Sequence, residues 1–123
     1  MQDLTHIGGE ERSPVWFNDR LVDFENAQVH VVTHAMNYGT AVFEGIRVYG
    51  TSGGVSLFRL DAHLARLIAS AAKFGIEVPW TEDDIAGACV ETVRASCRSQ
   101  GYIRPQIQFG VGTPALAHPD LPS

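Results

Sequence analysis

Phe43, Gly45 and Arg47 stand at alternate positions in the run Ala41-Val42-Phe43-Glu44-Gly45-Ile46-Arg47-Val48-Tyr49, and alternate residues of an extended chain share one face. Together they make an aromatic ring, a gap and a cation in a row. The ring offers a flat apolar wall, glycine permits close approach to the backbone, and a guanidinium can hold a carboxylate in a two-bond fork. That chemistry suits a small anionic ligand with an apolar side chain. An edge strand whose Arg47 points into water has the same spacing. Val42, Glu44, Ile46 and Val48 fall on the opposite face. Further on, Tyr102 and Arg104 are two apart, so a strand there turns both to one side and Ile103, Pro105, Ile107 and Phe109 to the other.

The rest of the chain supplies elements to hold these residues. Pro14 to Phe24 reads as a hairpin turning on Asn18-Asp19, residues that tolerate the positive φ of a tight turn. A third strand is expected at Gln28 to Thr33, then a turn around Asn37-Tyr38-Gly39, the strand Ala41 to Tyr49, turn chemistry from Gly50 to Gly54, and a return strand Val55 to Arg59. Asp61 is a suitable N-cap for a helix over 62–74 with Leu64, Leu67, Ile68, Ala71 and Phe74 on its apolar face and Gly75 as its stop. Thr81 caps a second helix, acidic in its first turn, with Ile85, Cys89, Val93 and Cys97 at helical spacing; Gly101 ends it. A strand from Tyr102 to Val111 follows. Strands, two helices and a strand favour an α+β domain of two layers, a mostly antiparallel sheet packed against two helices.

The wording of Tyr38-Gly39-Thr40-Ala41-Val42-Phe43-Glu44-Gly45-Ile46-Arg47 resembles the branched-chain amino acid aminotransferases, fold-type IV enzymes that use pyridoxal 5'-phosphate (PLP). The resemblance continues through Val15-Trp16-Phe17-Asn18-Asp19, Ala27-Gln28-Val29-His30-Val31, His63-Leu64-Ala65-Arg66-Leu67 and Tyr102-Ile103-Arg104-Pro105, and covers roughly Trp16 to Gly110. Gly112 to Ser123 matches nothing placed. D-amino acid transaminases, R-selective amine transaminases and aminodeoxychorismate lyases resemble the layout, but their motifs usually differ at the two signature runs.

The resemblance implies roles. Arg66 would bind the PLP phosphate, Tyr102 and Arg104 would orient the substrate carboxylate, Phe43, Gly45 and Tyr38 would form the side-chain pocket and site wall, and Arg47 would stand at the pocket edge. It also implies that the Schiff-base lysine belongs to a larger C-terminal domain. Lys73 is the sole lysine here, at the tail of the first helix, where it complements the helix dipole. No catalytic residue is therefore expected in this chain, and a polypeptide limited to it is expected to be inactive. Amino acid and 2-oxo acid substrates and a homo-oligomer, a dimer or higher, are implied for the parent enzyme.

The bulk numbers exclude several classes. A length of 123 residues, 45% hydrophobic and 19% charged, corresponds to one globular domain. A net charge of −5 without a basic cluster argues against nucleic acid, and no apolar run approaches a membrane span. Met1 to Gly9 lacks the pattern of a secretory leader, so the cytoplasm is the simplest compartment. Arg47, Arg66 and Arg104 could collect their charge in one pocket. Cys89 and Cys97, about 12 Å apart along a helix, read as reduced core residues, and the five histidines form no metal-ligand pattern. The expected organisation is a loose leader (1–13), the domain (14–111) and a tail or the start of an interdomain connection (112–123). A standalone binding or association module with the same fold is the alternative, and it should be monodisperse where a severed domain would self-associate.

Overall fold

The computed structural model describes residues 12–111; apart from Arg12 and Ser13, the expected leader and the tail 112–123 lie outside the described residues. Strands β1 (Val15–Phe17) and β2 (Arg20–Val22) form the expected hairpin, with Phe17 opposite Arg20. Asn18 takes the left-handed turn conformation at φ 61°, which asparagine tolerates better than most residues.

The strand expected over Ala41 to Tyr49 is broken in two. Strand β3 (Ala41–Phe43) pairs with β7 (Gln106–Gln108), whereas β4 (Ile46–Thr51) pairs with β5 (Gly54–Leu57) on one side and β6 (Gly101–Ile103) on the other, all antiparallel. The two ladders keep one register, since Phe43 opposes Gln106 and Ile46 opposes Ile103. The break falls where Glu44 meets Pro105: the Glu44 N–H donates to the Pro105 carbonyl at 3.1 Å, but proline has no N–H to return. Alternation survives the break. Val42, Glu44, Ile46 and Val48 are buried, while Phe43, Arg47 and Tyr49 are exposed.

Helix α1 (His34–Tyr38) stands where a plain turn was expected and ends on Gly39 at φ 69°. Helices α2 (Leu60–Lys73) and α3 (Glu82–Ser96) form the second layer: α2 packs on β3, β7 and α3, and α3 packs on β1. Thr81 and Asp84 exchange hydrogen bonds in a capping box at the start of α3. The core joins Val42, Ile46 and Ile107 of the sheet to Leu64, Leu67, Ala71, Ile76 and Cys89 of the helix layer.

Four local expectations change. Gln28 to Thr33 is not a strand. The His30 ring and carbonyl receive the Val32 N–H and the Thr33 N–H and hydroxyl, closing a local turn in competition with sheet pairing. Helix α2 begins one residue before Asp61, with Arg59 as its cap at φ 52°; Asp61 sits in the first turn, where its charge still suits the dipole. Helix α3 stops at Ser96, because Cys97 turns left-handed at φ 56°, so Cys97 is exposed and only Cys89 is buried. Phe74, assigned to the apolar face, is also exposed, since it lies past the last residue of α2. Lys73 does occupy the last turn of α2.

Candidate functional site

The outward row of the sheet gathers residues from two distant stretches of chain. Arg47 lies directly opposite Tyr102, and the shared register sets Gly45 opposite Arg104. Each long side chain of β6 and its extension leans diagonally across the pair, as neighbouring side chains on a twisted ribbon can. Tyr102 lies on Gly45: a Cβ built there would be 2.5 Å from Cζ and 2.7 Å from Cε2 of its ring, and closer still to its hydroxyl. Glycine is therefore required for this arrangement. Arg104 carries its guanidinium carbon to 3.8 Å from the centroid of Phe43, within cation–π range. An exposed ring, a phenol and a stacked cation thus share one face, with Arg47 beside them.

The inward side of the same ribbon holds a second cluster. Glu44, 7% exposed, points at α2, where His63 and Arg66 lie one helical turn apart on the same face. Arg66 donates from Nε to Oε2 at 2.8 Å and from Nη2 to Oε1 at 2.6 Å, a side-on fork. The Nδ1 of His63 lies 2.8 Å from Oε1. The bonds from Arg66 hold the Glu44 carboxyl down at about 2, against the upward push of burial and with help from His63. In return Glu44 raises the basicity of Arg66. The Arg66 side chain remains 68% exposed, so the terminal edge of its guanidinium, which the fork leaves unused, is open to a ligand.

The structure therefore brings together Phe43, Gly45, Arg47, Tyr102 and Arg104, and holds Arg66 on the other side of the ribbon. The three arginines do not share one pocket, because Glu44 draws Arg66 to the helix layer while alternation sends Arg47 and Arg104 outward. Tyr38 belongs to α1 and packs on His34, with ring centroids 4.4 Å apart; the helix is tied to the end of the ribbon by bonds from His34 and Ala35 to the Gly110 and Phe109 carbonyls. A concavity of about 1010 Å³ borders Tyr102 and Arg104 but not Phe43, Gly45, Arg47 or Arg66. The candidate site is a face and an edge rather than that cavity. Glu44 and His63 carry no role in the sequence reading. One signal pointed to them: a carboxylate on an otherwise apolar inward row must find partners. Among the described residues no cluster of His, Cys, Asp and Glu could hold a metal ion, and no helix is long and apolar enough to cross a membrane.

A family model described as Amino-transferase class IV matches residues 41–121. The branched-chain-amino-acid aminotransferase of Pseudomonas aeruginosa is 40% identical over 96 residues, 78% of this chain and 31% of the relative. The solved structure of the Escherichia coli branched-chain amino acid aminotransferase matches with a TM-score of 0.79 at 40% identity, over 81% of this chain and 33% of the other. That of the Thermobaculum terrenum branched-chain amino acid aminotransferase in its PLP form, the holo form, gives 0.69 at 35%, over 77% and 32%. The chain spans about a third of the length of these relatives.

Proposed function

Because the chain belongs to the class IV aminotransferases, we propose that residues 14–111 are the N-terminal small domain of a PLP-dependent branched-chain amino acid aminotransferase. The reaction would pass an amino group between Leu, Ile or Val and 2-oxoglutarate. The observation that carries this reading is the outer face, where Tyr102 closes over Gly45 and Arg104 stacks on Phe43. A branched aliphatic side chain finds an apolar wall in Phe43. The substrate carboxylate finds a directional hydroxyl donor in Tyr102 and a cation in Arg104, whose stacking on the ring leaves its in-plane N–H groups available. Such fixation orders the substrate before reaction. Arg47 extends the positive edge of the face, and Tyr38 completes the site wall in this reading.

PLP, when bound, supplies the electron sink and carries the amino group between the two half-reactions. The donor set fits it: Arg66 offers a planar, outward guanidinium edge to a phosphate. Among the described residues β3 pairs only with β7, so its second edge carries no strand that would separate the Arg66 side of the ribbon from the outer face. The lysine that holds the cofactor is assigned to a larger C-terminal domain, and the 112–123 segment to the connection leading there. Val29, Val31, Val32, Met36 and Tyr38 expose apolar surface in one stretch of chain, which supports assembly with a second copy in a homodimer. The cytoplasm is the compartment we assign.

Two substitutions in the full-length enzyme test the reading. Arg66→Ala should weaken PLP binding, and Arg104→Ala should raise the Michaelis constants for leucine and 2-oxoglutarate, each by roughly tenfold or more, as expected for a lost charge-assisted contact. Exchanged phenotypes, or no effect of either, would overturn the residue assignments.

A further inference from the structure

We propose that Glu44 is a positioning residue which clamps Arg66 side-on, so that the terminal edge of the guanidinium is presented as a preformed fork to the phosphate of the cofactor. The inference rests on the reading of Arg66 as the phosphate ligand. Glu44 is the one charged residue in the inward row Val42, Glu44, Ile46, Val48, where an aliphatic side chain would pack without the cost of burying a carboxylate. Its oxygens are fully engaged from α2. Oε2 accepts from Arg66 Nε at 2.8 Å, and Oε1 lies 2.6 Å from Arg66 Nη2 and 2.8 Å from His63 Nδ1.

Both ends of the clamp are restrained. The carboxylate is held by strand burial and by His63, while the guanidinium is fixed by two bonds in its own plane. An exposed arginine without such a clamp samples many rotamers, and binding must then order it. Two effects oppose each other when Glu44 is neutralised: Arg66 gains net positive charge, which favours phosphate, and it loses its orientation, which disfavours it. Arg66 is mostly exposed, so water and salt screen the first effect. The second is not screened and decides the sign.

The test uses the full-length enzyme and the dissociation constants of PLP and of pyridoxal, which lacks the phosphate, read by cofactor absorbance. Glu44→Gln should weaken PLP by roughly tenfold, the lower end of what loss of an orienting partner costs at a ligand-held centre, with pyridoxal unchanged. In the Arg66→Ala background Glu44→Gln should add nothing. Arg66→Lys, at an exposed position, keeps the charge and the fold; it should fall to the level of Arg66→Ala, because one ammonium cannot fork Glu44 and the phosphate together. If Arg66→Ala leaves the PLP-to-pyridoxal ratio intact, the phosphate assignment fails and the inference with it. If Arg66→Ala raises that ratio of dissociation constants while Glu44→Gln or Arg66→Lys leaves it at the parent value, the positioning role alone is overturned. Should Glu44→Gln not fold, Arg66→Lys decides.

Discussion

Replacing Gly45 with alanine should separate stability from substrate handling. The new methyl would stand 2.5 Å from Cζ and 2.7 Å from Cε2 of Tyr102, against about 3.5 Å or more for a comfortable carbon contact. The phenol must therefore move by about 1 Å or more. It can do so at small cost, because Tyr102 is 62% exposed and turns toward water. Gly45 does not need a left-handed backbone, so alanine also gains about 0.4–1 kcal/mol by restricting the unfolded chain. Net stability should stay within about 1 kcal/mol of the parent, read as a thermal midpoint shifted by only a few degrees. Substrate handling should suffer far more, since a displacement of about 1 Å in a positioning group can cost up to about 100-fold. In the full-length enzyme the Michaelis constants for leucine and 2-oxoglutarate should rise accordingly. In a Tyr102→Ala background the same substitution should have no further effect, giving a strong coupling in the double-mutant cycle. A folded Gly45→Ala enzyme with unchanged substrate constants would refute the role given to Tyr102. A destabilisation above about 3 kcal/mol would refute the claim that its ring can yield.

Other substitutions follow from the same geometry. Gly50→Ala should destabilise by about 1–3 kcal/mol, because its Cβ would meet the Ser99 backbone carbonyl at 2.8 Å; denaturant melts of the two glycine variants check the contrast. Thr81→Ala should cost about 1 kcal/mol through loss of the α3 capping box, seen in the same melts. The Glu44 carboxyl is held at about 2 in the fold against 4.5 as its reference value. A lowered folded value means that its contribution is complete above pH 4.5 and is lost as pH falls toward 2. Melts across that window should show an acid limb that Glu44→Gln flattens, and an unchanged limb in the variant would refute the assignment.

Much of the fold was legible because it rests on local geometry. Alternation of side chains along a strand fixes which of residues 42–49 turn inward, and the structure keeps that alternation even where Pro105 interrupts the ladder. The hairpin at Asn18 and the α3 cap at Thr81 likewise depend on neighbours a few residues away. Gln28 to Thr33 departs from the expected strand because strand propensity is realised only beside a partner edge, and His30 offers those backbone groups a closer one. The site divides along the same line. By itself the sequence determined that Phe43, Gly45 and Arg47 share a face, that Tyr102 and Arg104 share another, and that Glu44 falls on the face opposite Phe43 with Val42, Ile46 and Val48. Only the tertiary structure decided that the first two faces are one and that Tyr102 rests on Gly45. It alone chose His63 and Arg66, 19 and 22 residues away, as the partners of Glu44. Residue spacing dictates side-chain direction within one element, whereas a buried carboxylate is satisfied by whichever donors packing brings to it, and packing is a property of the whole chain.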